Sequence, residues 1–135
     1  MELSMSLKQF RRLLDLVYIG NWVLNSTRGD ERITEFDDVE ALVFEKCKSL
    51  GMANLTEPLD GSAIPSRAFA EGGIHEAIME YEDTIFFEIL AEELARRDIV
   101  NEGGTEEDTD QINERIGAYI AEFERNGTDN IVLNL

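Results

Sequence analysis

The residues best placed to do chemistry in this chain are carboxylates. Between Glu76 and Glu114, fourteen acidic residues stand against two basic ones, a segment charge of −12. Converging carboxylates hold hard divalent cations, so metal binding is the first chemistry to weigh. A di-iron or di-manganese bundle needs inward glutamates and two Glu-x-x-His pairs on facing helices. One histidine, His75, cannot supply them. Zinc chemistry built on several His or Cys ligands fails likewise, because Cys47 is the single cysteine. The run Glu106-Glu107-Asp108-Thr109-Asp110 lacks the glycine and the distal glutamate of a calcium loop. The run therefore reads as solvated acidic surface, with no metal and no cofactor expected. A carboxylate-only binder of divalent metal stays as the weakest of three functional readings.

Nucleophilic and acid–base chemistry find as little. Cys47 falls where a helical pattern points it inward, and a buried cysteine behaves as a small hydrophobe. A lone cysteine also forms no intrachain disulfide. His75 has Glu71 four residues before it and Glu76 beside it. A general base needs a substrate or nucleophile within hydrogen-bond reach, and nothing in the sequence specifies one, so His75 reads as a surface histidine near carboxylates. No phosphate-binding glycine loop, dinucleotide turn or nucleophile elbow occurs. Gly72-Gly73 precedes a helix, but Glu71 and Glu76 flank it and repel an anion. The expectation is a chain without catalytic residues.

The side chains left for function are aromatic and acidic. Tyr18, Trp22 and Phe87, with Glu88 and Glu92, are the candidate partner-contact residues. Phe87 points away from both apolar seams of its helix. If exposed it marks a partner or dimer surface, because large apolar patches are rarely left in water; if covered it is core.

Composition limits the partners. The chain has 135 residues, 43% of them hydrophobic, enough for one compact domain over 1–135. Twenty-nine Asp and Glu against twelve Lys and Arg give a formal charge of −17. Nucleic-acid binders gain affinity from cations that displace counterions, so direct binding to DNA or RNA is not expected. Anionic membranes are disfavoured for the same reason. The most apolar run, Leu13 to Leu24, is interrupted by Asp15 and Asn21 and too short to span a bilayer. The start, Met1 to Lys8, shows no secretory pattern, so the sequons at Asn25, Asn54 and Asn126 read as chance matches in a cytoplasmic chain. Residues 1–28 differ from the rest, carrying Lys8, Arg11, Arg12 and Arg28 against Glu2 and Asp15.

The elements that must carry these side chains are helical. Leu7, Phe10, Leu14, Val17 and Leu24 predict a helix from about Ser6 to Ser26, with Asn21 and Asn25 needing partners where buried. A second helix begins with Thr34 as its cap and closes at Gly51, its stripe being Phe36, Val39, Val43, Cys47 and Leu50, widened by Leu42. From Met52 to Gly73 the periodicity fails, and both prolines, Pro58 and Pro65, lie there. This reads as a long connection with a possible helical turn over Pro65–Glu71, pinned by Leu55, Leu59, Ile64 and Phe69. The third helix, about Ile74 to Asp98, carries two seams: Ile74, Ile78, Tyr81, Ile85 and Ile89, and Met79, Phe86, Leu90 and Leu94. Thr105 caps a fourth, with Asp108 in the capping-box position and one face of Ile112, Ile116, Tyr119, Ile120 and Phe123 ending at Gly127. The apolar tail Ile131–Leu135 is expected to pack on the bundle or on a partner. The fold class is all-α, a compact bundle of four main helices.

The stretches Tyr81-Glu82-Asp83-Thr84-Ile85-Phe86-Phe87, Leu94-Ala95-Arg96-Arg97-Asp98 and Phe123 to Asn130 resemble small acidic bacterial proteins of unknown function. The resemblance implies a bacterial cytoplasmic protein and assigns no activity or site residue. Together these readings give a non-enzymatic, acidic helical protein-interaction module that binds a protein partner or forms a homodimer. The alternative is a nucleic-acid mimic that inhibits a DNA- or RNA-binding protein by filling its basic groove.

Overall fold

A computed structural model describes residues 1–135. The chain is 69% helical, with four main helices and a small two-stranded sheet. It groups into two compact units, Met1–Ile78 and Met79–Leu135.

The first unit opens with α1, Leu7–Asn25. Ser6 caps it: its hydroxyl accepts from the Gln9 N–H at 3.1 Å, while Gln9 Oε1 accepts from the Ser6 N–H at 2.9 Å. This reciprocal pair satisfies two backbone donors at the helix start. Helix α2 covers Thr34–Glu45. Thr34 is its first helical residue rather than its cap; Ile33 occupies the cap position, where its own side chain makes no capping bond. Asn25 instead holds the backbone of that cap residue. Its Oδ1 accepts from the Ile33 N–H at 2.8 Å, and its Nδ2 donates to the Ile33 carbonyl at 3.1 Å and to Asn21 Oδ1 at 2.7 Å. Asn21 donates onward to Asp37 at 2.9 Å. The two amides that needed partners therefore join the end of α1 to the start of α2.

The expected stripe on α2 is half right. Cys47 is fully buried and Val43 and Leu50 pack on the core, but Phe36, Val39 and Leu42 face solvent. Phe44, absent from that stripe, is completely buried. Its ring meets Phe69 edge-on, centroids 5.1 Å apart, and Phe69 meets Tyr18 at 5.3 Å. The core of this unit is Phe10, Leu14, Phe44, Cys47, Ala63 and Phe69.

The segment read as a long connection contains the sheet. Strand β1, Thr56–Leu59, pairs antiparallel with β2, Ser62–Pro65, Leu59 opposite Ser62. The two turn residues, Asp60 and Gly61, have φ of +49° and +80°. Two positive φ values in succession make the hairpin turn that matches strand twist, and Asp-Gly is a favoured pair for it. The all-α reading thus misses a hairpin. Pro65 ends β2 instead of opening a helix. The short helix α3, Arg67–Phe69, is capped by Ser66, whose hydroxyl accepts from the Phe69 N–H at 3.1 Å and donates to the Asn54 carbonyl at 2.6 Å. Of the four pinning residues Phe69 is buried, Leu55 and Ile64 are half-buried, and Leu59 is exposed.

A kinked turn over Ala70–Ile74 leads into α4, His75–Asn101, which runs from the end of the first unit through the second. In the second unit its buried line is neither expected seam. Ala91, Ala95 and Ile99 are buried, whereas Met79, Tyr81, Phe86 and Ile89 are exposed. Ala95 and Ile99 form one buried cluster with Ile112 of α5, Thr109–Asn126. Ile112 and Phe123 of α5 are buried and Ile116 and Tyr119 half-buried, so the one-faced pattern of this helix holds. Its start does not. The Thr105 N–H donates to Asp108 Oδ2 at 2.7 Å, but this pair forms the turn before the helix, and Asp108 takes the cap position. The tail Ile131–Leu135 is exposed rather than packed, Val132 and Leu135 most of all.

Candidate interaction surfaces

In the first unit, Tyr18, Trp22 and His75 come together. Tyr18 and Trp22 sit one turn apart on α1, and His75 opens α4. The Tyr18 hydroxyl lies 2.6 Å from His75 Nε2, and the imidazole stands edge-on to both rings, 5.5 Å from Tyr18 and 6.2 Å from Trp22. The histidine is therefore half-buried and held by aromatics, not a free surface group among carboxylates. Burial pushes the Tyr18 phenol above its ordinary range, and the Glu40 charge adds to that. Such a phenol remains a hydrogen-bond donor and makes a poor nucleophile. Glu40 is raised as well, chiefly by burial. Tyr18, Trp22, Arg32 and Glu40 line a cavity of ≈ 130 Å³, room for a few atoms only.

A larger opening lies at the other end of α1. Leu3, Leu7, Phe10 and Leu13 face Leu42, Val43 and Leu50 across a groove of ≈ 550 Å³. A second groove of ≈ 470 Å³ shares Leu3, Met5 and Leu13 and extends to Leu16. The cations at their rims are Lys8, Arg12 and Lys46. Lys8 and Lys46 enter no ion pair, and Arg12 reaches Asp15 at 3.3 Å. No acidic residue lines either groove. In a chain with twenty-nine carboxylates this is a marked local exception. The groove went unforeseen because Leu42 reads from sequence as part of a buried stripe.

In the second unit, Phe87 turns toward α5, 5.4 Å from Phe123 and 5.1 Å from Phe86. Phe87 and Phe123, with Thr84, Glu88, Ile120 and Glu124, border a cavity of ≈ 190 Å³. Glu88 is exposed, and Glu92 is bonded to Arg96 at 2.7 Å. The five candidate contact residues thus divide, Tyr18 and Trp22 in the first unit and the other three in the second.

The outer face of α4 takes Met79 and Phe86 from one expected seam and Ile89 from the other, and it is solvent-facing. At 3.6 residues per turn, Met79, Phe86, Ile89 and Val100 fall opposite the Ala91–Ala95 line. Met79 is 55% exposed, Phe86 51% and Ile89 53%, with Glu82 and Glu93 exposed among them. On the inner side Asp98 accepts from the Tyr119 hydroxyl, from Arg97 at 2.7 Å and from Arg115 at 3.3 Å. The Tyr119 bond first, then the arginines, hold its carboxyl below the usual range.

No three His, Cys, Asp or Glu side chains converge as a metal site would require, and no helix is long and apolar enough to cross a membrane. Compared with protein-family models, curated proteins and solved structures, the chain matches none.

Proposed function

We propose that this chain is a non-enzymatic protein-interaction module of the cytoplasm, meeting its partner through the outer face of α4. The observation that carries the reading is the alignment of exposed Met79, Phe86 and Ile89 opposite the buried Ala91–Ala95 line. Exposed large hydrophobics in one line cost solubility, and such faces mark contact sites. Glu82 and Glu93 on the same face supply charge that steers encounter and rejects other acidic surfaces. The mixture of apolar and acidic side chains supports a module over a charge-only mimic of nucleic acid, which calls for regularly spaced carboxylates without apolar anchors.

The test is parallel affinity capture from an extract of the source cells, with the wild-type chain and a Phe86→Ser/Ile89→Ser variant as baits. Both residues are exposed, so the variant keeps its fold. The reading requires a protein that the wild type retains and the variant loses. Identical recoveries from the two baits end it.

A further inference from the structure

The two exposed apolar surfaces of this chain have opposite electrostatic character. The groove along the start of α1 carries Lys8, Arg12 and Lys46 and no lining carboxylate. The outer face of α4 carries Met79, Phe86 and Ile89 with Glu82 and Glu93. The geometry points to a pairing between copies, in which the α1–α2 groove of one molecule receives the outer face of α4 from a second. This deepens the interaction-module reading and rests on it, naming a second copy as the partner.

The physical case has two parts. A helix that lays apolar anchors into a groove is a recurrent recognition mode, and spacings of three, four and seven residues are its signature. Phe86 and Ile89 are three apart, and Met79 and Phe86 seven apart. The groove offers Leu3, Leu7, Leu13 and Leu42 to them. Charge then sets which surfaces can meet. Two α4 faces brought together would juxtapose carboxylates, and two grooves would juxtapose cations; only groove against α4 places opposite signs together. At physiological salt the screening length is about 8 Å, so the repulsion between two copies of net −17 is damped at a distance while contacts at the rim persist. The pairing joins two different surfaces, which leaves one groove and one α4 face free at the ends of any open assembly. Association beyond the dimer therefore follows with rising concentration unless a ring closes.

Sedimentation velocity of the full chain in 0.15 M salt, over a hundredfold concentration range, tests this with two charge-reversed variants. Lys8→Glu/Lys46→Glu alters the groove, and Glu82→Lys/Glu93→Lys alters α4; all four positions are exposed, so folding is not at stake. The wild type should associate, each variant alone should lose at least tenfold in affinity, and an equimolar mixture of the two should recover it. A wild type that stays monomeric throughout overturns the pairing, and so does association that the groove variant leaves intact. Loss in both variants without recovery in the mixture overturns it too. A monomeric wild type whose α4 variant still loses a captured protein would sink the second copy as partner and leave the module reading standing.

Discussion

The first unit is assembled around aromatic rings and the second around alanines. Phe10, Phe44 and Phe69 fill the interior of Met1–Ile78, joined by Leu14, Cys47 and Ala63. In Met79–Leu135 the buried centre is Ala95, Ile99 and Ile112, with Ala91 and Phe123 beside it. The charge divides as unevenly. The first unit holds thirteen acidic and eight basic residues, the second sixteen and four, so net charges of −5 and −12 make up the −17. Bulky rings fill the interior that α1, α2 and the hairpin enclose. In the second unit Ala95 and Ile99 of α4 share a buried cluster with Ile112 of α5, and ion pairs from Arg115 to Asp98 and Glu102 join the two helices at its edge. One chain thus uses two ways of holding itself together, and each fails differently.

The sharpest contrast comes from removing a ring in the first unit and adding bulk in the second. Phe69→Ala empties the aromatic centre and should cost about 4 kcal/mol in urea unfolding followed by Trp22 fluorescence. A cost below about 1 kcal/mol would mean that the rings are not the anchor. Asn25→Ala comes next. It strands the N–H of Ile33, whose carbonyl keeps the Phe36 N–H, and should cost about 2 kcal/mol. Ala95→Leu in the second unit overfills a fully buried position beside Ile99 and Ile112 and should cost about 2 kcal/mol by far-UV circular dichroism. Gly104→Ala should cost about 1–2 kcal/mol, because its Cβ would stand 2.7 Å from Ile99 Cγ2 and 3.0 Å from the Ile99 carbonyl.

The smallest effects separate the units by pH. Asp98 is held below its ordinary range, so its contribution is complete above the unfolded carboxylate value, about 3.9, and is lost as pH falls through the folded value. Tyr119→Phe should therefore lower the melting temperature at pH 7 and shrink the loss seen on acidification. Glu40 in the first unit is raised by burial, which reverses the sign. Its cost is absent below the unfolded value and grows as pH rises through the folded one. Glu40→Gln should raise the melting temperature at pH 7 and leave it unchanged at pH 4. Parallel responses from the two variants would break the contrast.

The four main helices were legible because each repeats apolar residues at helical spacing over twelve residues or more. Which face turns inward was legible only where the apolar arc is narrow. On α5, Ile112, Ile116, Tyr119 and Phe123 form one arc, and that arc is the buried one. On α4 the large side chains spread around the helix, and the covered line runs through Ala91 and Ala95, which periodicity weighs lightly. On α2, Phe44 lost to Phe36 and Val39 for the same reason: several apolar arcs compete, and tertiary partners choose. The hairpin had a local signal in Asp60-Gly61, but four-residue strands carrying Pro58 and Pro65 lack the alternation that would have prompted a strand reading. Of the candidate contacts, Tyr18 and Trp22 were legible as a pair through their spacing of four. Their partner His75 lies fifty-seven residues from Tyr18 and announced nothing. The cationic groove was not legible at all, since it is made by chain ends and helix flanks far apart in sequence.

Cys47 has no accessible surface, and burial raises its thiol so that the reactive thiolate is scarce. It is also the only sulfhydryl in the chain. Alkylating reagents can reach it only when the first unit opens, so the pace of modification under native conditions becomes a clock for that opening. The clock needs no engineered probe, and it is blind to fraying of α5.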